Sequence, residues 1–163
     1  MHFHAPSEHT IGGAHYDAEI HFVHVNEDDN GKLLVVGVFF DTLAEDQIGS
    51  IFMRDFVLDS PGGEIKVRVP DLFDHMQERE FYHYSGSLTT PGCDEIVSWY
   101  VFNTPVAIDA TDLEDMIGIF GQGRDTYRYT QDLNNREIYV GMNAFFQNSL
   151  LYLLAVFTLS LSL

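Results

Sequence analysis

Histidines are concentrated at the start of the chain, where their spacing could form a metal site. Six of the 8 histidines are His2, His4, His9, His15, His21 and His24. Residues two apart on a β-strand project from the same face, so His2 and His4 could reach one ion. His21 follows Glu19 by two residues, as expected of a ligand and the carboxylate that orients it. Three neutral imidazoles around zinc lower the pKa of bound water to about 7, which generates hydroxide at neutral pH.

The remaining histidines have simpler interpretations, and a His-x-His pair alone is weak evidence for a metal. We expect His15, His75 and His83 to be solvated surface side chains of an acidic protein. His24 projects from the strand face opposite to His21, so it is predicted to pack against the protein rather than to bind a metal.

Composition excludes several classes of function. The chain has 163 residues, with 8 Lys plus Arg against 25 Asp plus Glu and a formal net charge of −17. This charge repels phosphate backbones, so we expect no nucleic-acid partner. A single cysteine excludes an internal disulfide framework and a cysteine-rich zinc module. The hydrophobic fraction of 45% is typical of a folded globular domain.

The elements that would position these histidines are mostly strands. Alternating or continuous apolar runs predict strands at Asp17–Val25, Leu33–Phe40, Ile65–Val69 and Ile96–Asn103. Helices are predicted only within Thr42–Met53 and at Ala110–Phe120, where Thr111 and Glu114 form a capping-box pattern. The predicted fold class is therefore mainly β, an α+β arrangement with few short helices.

The end of the chain differs in character from the rest. No charged residue follows Glu137, and Leu150–Leu163 is almost wholly apolar. This run is shorter than the roughly 20 residues that span a bilayer. We interpret residues 141–163 as an apolar tail that is either a membrane or lipid-anchor signal or a last strand with a frayed end.

Four segments together resemble the α-class carbonic anhydrases. Residues 2–10 (HFHAPSEHT) and 16–24 (YDAEIHFVH) resemble the zinc-binding region of that family. Residues 84–99 (YSGSLTTPGCDEIVSW) resemble its active-site threonine segment, and residues 127–136 (YRYTQDLNNR) resemble its C-terminal landmark. The segments occur in the family's order, so residues 1–140 are expected to form one domain of this type.

The resemblance implies a catalytic metal site. The residues that match the family's zinc ligands are His2, His4 and His21, and the implied cofactor is Zn²⁺. The family's zinc-bound hydroxide attacks carbon dioxide to give bicarbonate. Thr89 matches a gatekeeper threonine whose hydroxyl accepts a hydrogen bond from that hydroxide and donates one to a buried carboxylate, here Glu8. This arrangement orients the nucleophile and excludes groups that cannot donate a proton.

The resemblance also implies supporting residues. Glu19 would hydrogen-bond to His21, while His9 and Tyr84 match buried polar residues near that carboxylate. A dry wall for carbon dioxide is implied at Val23, Val35, Leu88, Val97 and Trp99, with Thr90 at its polar edge.

Part of the family's pattern has no match in this chain. Family members carry a segment before the His-x-His strand that supplies sheet strands, a partner for the first ligand and a proton-shuttling histidine. We therefore expect a central, twisted, largely antiparallel or mixed sheet that lacks its N-terminal portion. In family members with a cysteine at the position of Cys93, its disulfide partner lies in that segment. This implies an extracellular or cell-surface location for the full-length protein.

Two functions remain open at this point. The first is zinc-dependent, reversible hydration of carbon dioxide, with carbon dioxide and bicarbonate as the small-molecule partners. The second is a non-catalytic, carbonic-anhydrase-like binding module or an inactive fragment. Retention of all three candidate zinc ligands favours the enzyme, and the missing segment favours the alternative. Membrane attachment through the tail is compatible with either.

Overall fold

The computed structural model describes residues 1–26, 31–42, 80–120 and 126–141. The strands in these ranges are β1 (His2–His4), β2 (Thr10–Ile11), β3 (Ala14–His15), β4 (Ala18–Val25), β5 (Leu33–Asp41), β6 (Phe81–Gly86), β7 (Val97–Phe102), β8 (Val106–Ala107) and β9 (Tyr139–Gly141). One helix, α1 (Ala110–Phe120), lies between β8 and β9. The mainly β fold class is therefore confirmed.

The strands form one mixed sheet and one small hairpin. The sheet order is β1-β4-β5-β7-β6-β9, with β8 paired to β5, while β2 and β3 pair with each other. Strand β5 runs parallel to β7 and β8, and the other pairs within this order are antiparallel. The sheet therefore places β1 and β4, which carry the candidate ligands, next to each other.

The predicted elements agree with the observed ones where both can be compared. The strands predicted at 17–25, 33–40 and 96–103 and the helix at 110–120 are present within a residue at each end. Strand β6 was not predicted, although its aromatic sequence FYHYSG is typical of a strand. The predicted strand Ile65–Val69 and most of the predicted helical segment Thr42–Met53 fall outside the described residues.

The apolar tail also falls largely outside the described residues, because only Gly141 of the segment 141–163 belongs to them. Within the described ranges, no helix combines the length and the apolar composition that crossing a bilayer requires. Membrane or lipid anchoring stays a prediction.

The two faces of the sheet have different chemistry because side chains alternate along each strand. One face packs Ile20, Val38 and Phe102 against Leu113 and Met116 of α1. The opposite face of β4 carries Glu19, His21 and Val23. This face, here called the polar face, also carries a second apolar cluster built around Val35, Phe39, Val97, Trp99 and Val101. The helix face thus forms the main core, and the polar face carries the candidate site.

The start of α1 corrects one expectation. Asp109 Oδ1 accepts a hydrogen bond from the Thr111 amide at 2.8 Å, and Asp109 O accepts one from the Leu113 amide at 3.0 Å. Asp109 is therefore the N-cap residue. The predicted capping box at Thr111 and Glu114 is wrong because the helix begins earlier, at Ala110.

Gly37 permits a close approach between β5 and the polar face of β4. It lies opposite His21 in the antiparallel register and opposite Val101 in the parallel one. A Cβ atom at Gly37 would lie 2.7 Å from Glu19 Oε1 and 3.5 Å from the Val101 side chain. Because Glu19 is fully buried, its carboxylate has little room to move away.

Gly37→Ala should therefore destabilise the protein by about 2–4 kcal/mol, because the methyl group displaces a buried, hydrogen-bonded carboxylate. Gly118→Ala is the matched control, since a Cβ there has no neighbouring atom within 4 Å. This exposed helical glycine should gain about 0.5–1 kcal/mol on substitution. Urea unfolding of the two variants measures both effects, and equal stability of the two would contradict the predicted clash.

Candidate metal centre

The pairing of β1 with β4 brings the candidate ligands to one face. His2 lies opposite His21, and His4 lies opposite Glu19. Side chains at directly opposed positions have Cβ atoms about 4.5–5.5 Å apart. The ring centroids of His4 and His21 are 4.6 Å apart. The strand register therefore assembles the site from two short sequence motifs.

Hydrogen bonds fix which nitrogen of each ring carries a proton. His4 Nδ1 donates to the Thr126 carbonyl at 2.6 Å. His21 Nε2 donates to Glu19 Oε1 at 2.8 Å. In a neutral imidazole the other nitrogen then keeps its lone pair. His4 Nε2 and His21 Nδ1 are thus available as metal-binding atoms.

Glu8 approaches both of these nitrogens. Its Oε2 atom lies 3.4 Å from His4 Nε2 and 3.7 Å from His21 Nδ1. His4, Glu8 and His21 are all buried, and their ligand atoms lie within 4.8 Å of one another. His4 Nε2 and Glu8 Oε2 are buried without a hydrogen-bond partner in the described part of the chain.

This donor set fits a divalent cation such as zinc. Buried polar atoms without partners are unfavourable, and a cation would satisfy both of them. Burial and the neighbouring His21 lower the pKa of His4 below its usual value. A lowered pKa keeps the imidazole neutral near pH 7, which is the form that binds zinc.

His2 differs from the other two candidate ligands. It projects from the polar face of β1, but it is exposed, and its ring nitrogens are outside the group formed by His4, Glu8 and His21. Partial burial, the amino terminus of Met1 and the rings of His4 and His21 lower the pKa of His2. The structure therefore places His2 beside the site without bringing it into the buried donor group.

Glu19 is the centre of a dense hydrogen-bond network. Its Oε2 accepts from the backbone amides of Glu8 and His9, both at 2.9 Å. Its Oε1 accepts from His9 Nδ1 at 2.7 Å and from His21 Nε2 at 2.8 Å. His9 Nε2 in turn donates to the Tyr84 hydroxyl at 2.6 Å. The structure therefore brings together the predicted supporting residues Glu19, His9 and Tyr84.

The electrostatics of this network follow from its contacts. Burial alone would raise the pKa of Glu19, but His9 and His21 and their hydrogen bonds hold that pKa well below its usual value. Burial alone would lower the pKa of His9, but the Glu19 carboxylate raises it. Burial and the negative charge of Glu19 raise the pKa of Tyr84. Glu19 is therefore an ionised, fully buried acceptor that two histidines stabilise.

Thr89 and Glu8 line one cavity of about 330 Å³, together with Tyr84, Trp99 and Arg128. Glu8 Oε1 accepts a hydrogen bond from the Arg128 amide at 2.7 Å, and Glu8 Oε2 keeps its accepting capacity. No hydrogen bond joins Thr89 to Glu8 within the described residues. Their direct pairing stays a prediction.

The predicted apolar wall forms one cluster on the polar face. Val35, Val97 and Trp99 are buried there, and Val23 and Leu88 pack against them. Thr90 is exposed at the loop that follows. The Trp99 ring lies edge-on to the rings of His9 and His21, with both centroid distances at 4.8 Å. The apolar wall therefore directly adjoins the histidine network.

Sequence reasoning did not assign a role to Thr126 and Arg128. Besides accepting from His4, Thr126 exchanges two hydrogen bonds with Ala5, one through each backbone amide. These contacts join positions more than 120 residues apart, so local spacing gives no signal for them. The only signal was the family-like segment 127–136, which marked Arg128 without indicating its partners.

Two expectations about peripheral histidines are wrong. His15 Nδ1 donates to the Ser7 carbonyl at 2.6 Å, so the ring ties the β2–β3 hairpin to the loop after β1. His83 Nδ1 donates to the Trp99 carbonyl at 2.9 Å, and its ring stacks on Tyr100. Both rings are therefore bound within the fold rather than simply solvated. His75 lies outside the described residues.

Cys93 is a half-buried free thiol. Its predicted disulfide partner is not part of this sequence, which has one cysteine. The disulfide and the extracellular location inferred from it both stay predictions.

Comparison with known proteins identifies relatives over most of the chain. A family model described as eukaryotic-type carbonic anhydrase matches residues 1–142. A carbonic anhydrase of Neisseria gonorrhoeae is 35% identical over 141 residues, which cover 85% of this chain and 53% of the relative. A carbonic anhydrase of a Nostoc strain is also 35% identical over 141 residues, covering 83% of this chain and 50% of the relative.

Solved structures give the same result. An α-carbonic anhydrase from Thermovibrio ammonificans, in complex with the inhibitor sulfanilamide, matches with a TM-score of 0.66 and 38% identity. The match covers 83% of this chain and 59% of that one. The chain spans about half the length of the curated relatives it matches.

Glu19→Gln should lower zinc affinity by about 10- to 100-fold, because the amide NH₂ group faces N–H donors where a carboxylate accepted their bonds. Competition with a chromophoric zinc chelator measures the change. Glu80→Gln is the control, since Glu80 is exposed and accepts only from Asn103 Nδ2. A folded Glu19→Gln protein with wild-type zinc affinity would show that Glu19 does not support the metal centre.

Proposed function

The chain belongs to the eukaryotic-type, α-class carbonic anhydrase family, and on that premise we propose that it catalyses the reversible hydration of carbon dioxide to bicarbonate. The observation that carries the proposal is the pair of buried, lone-pair-bearing nitrogens on His4 and His21. They adjoin an apolar wall suited to a nonpolar substrate.

The proposed metal ligands are His2, His4 and His21. A zinc ion held by three neutral imidazoles lowers the pKa of a coordinated water molecule to about 7 and so supplies hydroxide at neutral pH. Thr126 and Glu19 hold the rings of His4 and His21 with the required nitrogen deprotonated. His2 would complete the set from the adjacent strand position.

Glu8 is proposed to act as a hydrogen-bond acceptor rather than as a ligand. Its Oε1 atom is engaged by the Arg128 amide, and its Oε2 atom faces the site. If the Thr89 hydroxyl donates to Oε2, its own lone pair can only accept a hydrogen bond. Thr89 would then orient a proton-bearing nucleophile and exclude groups that lack a proton.

The apolar cluster is proposed to bind carbon dioxide. Val23 and Leu88 are half-buried over the buried Val35, Val97 and Trp99, so they can present an apolar surface near His21. Such a surface excludes water and holds a small nonpolar molecule without competing hydrogen bonds. Carbon dioxide and bicarbonate are therefore the proposed small-molecule partners.

One observation favours the alternative of a non-catalytic binding module. His2 is exposed and lies outside the buried donor group, so the third ligand is the least constrained. Stopped-flow hydration of carbon dioxide by the zinc-loaded protein, with and without sulfanilamide, separates the two functions. Inhibitor-sensitive hydration supports the enzyme. Hydration no faster than that of free zinc rejects it for this chain.

The ligand set makes a separate prediction. His2→Ala should lower zinc affinity by more than about 100-fold, because it removes a ligand, which costs more than removing a supporting contact. Glu8→Gln should keep zinc affinity within about threefold and reduce turnover, because its carboxylate only accepts a hydrogen bond. Chelator competition measures both affinities. The reverse ranking would assign the third ligand to Glu8 instead.

Thr89→Val should retain zinc and lower kcat by about 10²-fold or more, because valine is similar in size but cannot orient the nucleophile. Thr104→Val, in an exposed loop, is the control and should leave kcat unchanged. Stopped-flow kinetics at matched zinc occupancy test the pair. Unchanged turnover in Thr89→Val would remove this hydroxyl from the mechanism.

A further inference from the structure

Arg128 contacts both sides of the proposed Thr89–Glu8 pair. Its backbone amide donates to Glu8 Oε1 at 2.7 Å. Its guanidinium Nη1 donates to Ser87 Oγ at 3.3 Å and to the Leu88 carbonyl at 3.4 Å, directly before Thr89. One residue from a distant part of the chain therefore connects the carboxylate to the loop that carries the hydroxyl.

We propose that the Arg128 side chain is a positioning residue that sets the Thr89 hydroxyl relative to Glu8. The proposal rests on the hydration activity proposed above, and it adds a residue whose role the family-like motifs did not indicate. Arg128 itself does not contact the reacting atoms in this proposal. It acts by holding the 87–90 loop, defined here as Ser87–Thr90.

The other contacts of the 87–90 loop leave this task to Arg128. Ser87 O accepts from Trp99 Nε1 at 3.1 Å, which ties the loop to the sheet beneath it. The Leu88 amide donates to Asp94 O, and the Cys93 amide donates to Thr90 O, which close the loop on itself. Among the described residues, the Arg128 guanidinium is the hydrogen-bonding link from this loop to the segment that binds Glu8.

The chemistry of the side chain matches this role. Arg128 forms no ion pair with a carboxylate in the described ranges, so its guanidinium serves as a hydrogen-bond donor to neutral oxygens. A guanidinium can donate to two acceptors in a fixed plane, whereas lysine provides a single mobile donor centre. The fixed geometry suits a group that must hold a loop at one distance from Glu8.

The magnitude follows from the sensitivity of catalysis to geometry. A displacement of about 1 Å in a positioned group can cost about 10²-fold in rate. The contacts with Trp99 and Asp94 remain when Arg128 is changed, so the expected displacement is smaller. We expect Arg128→Ala to lower kcat by about tenfold.

The test compares Arg128→Ala, Arg128→Lys and the control Arg136→Gln. The backbone amide that binds Glu8 is present in all three, so the variants isolate the side chain. Arg136 lies in the same cavity, but its hydrogen bonds go to Leu133 O and Asp132 O. It therefore controls for the loss of a positive charge in the cavity without a loss of the link to the loop.

Two measurements are made on each zinc-loaded protein. Stopped-flow kinetics should show kcat reduced about tenfold in Arg128→Ala, partly restored in Arg128→Lys and within about twofold of wild type in Arg136→Gln. Amide hydrogen exchange should be faster in the 84–90 peptide of Arg128→Ala alone. Zinc affinity by chelator competition should stay within about twofold of wild type in all three.

The two readouts separate this proposal from the proposed function. If the wild-type protein lacks hydration activity, the proposed function fails, and hydrogen exchange still decides whether Arg128 holds the loop. Wild-type exchange in the 84–90 peptide of Arg128→Ala overturns the proposal, as does a wild-type kcat in an active protein. A loss of kcat that follows a loss of zinc also overturns it. If Arg128→Ala does not fold, the same comparisons are decided with Arg128→Lys.

Discussion

The fully buried carboxylate of Glu19 is the constraint on which the rest of the structure depends. An ionised carboxylate without solvent is stable only when hydrogen bonds and positive or polarised groups surround it. Glu19 meets that requirement through four donors, two from the backbone at Glu8 and His9 and two from the rings of His9 and His21. Its position on β4 therefore dictates where the loop after β1 must lie. Gly37 on β5 is required for the same reason, since only a residue without a side chain leaves room for the carboxylate.

The metal centre is consequently a product of hydrogen bonding before any cation binds. Thr126 and Glu19 act as acceptors that leave one lone pair on each of His4 and His21 directed towards Glu8. The apolar cluster around Trp99 excludes water from the other side of these rings. Because the acceptors come from three separated parts of the chain, metal affinity and the stability of the sheet depend on the same contacts.

Much of this arrangement could be predicted from the sequence because strand periodicity is local. The alternation along residues 17–25 correctly placed Glu19 and His21 on one face and His24 on the other. The β6 strand, the parallel pairing of β5 with β7 and the roles of Thr126 and Arg128 depend on contacts between distant segments, which local spacing does not encode. The exposure of His2 and the N-cap at Asp109 also follow from the three-dimensional packing rather than from residue type.

The hydrogen bonds from Tyr84 through His9 and Glu19 to His21 have a consequence for communication across the protein. Tyr84 and His9 line the cavity, whereas His21 faces the metal-binding nitrogens on the other side. Groups joined in such a series polarise one another, so a change at one end alters the electron density at the other. A small molecule that hydrogen-bonds to Tyr84 would therefore tune the donor strength of His21 from a distance, and by reciprocity a bound cation would change how strongly that molecule is held.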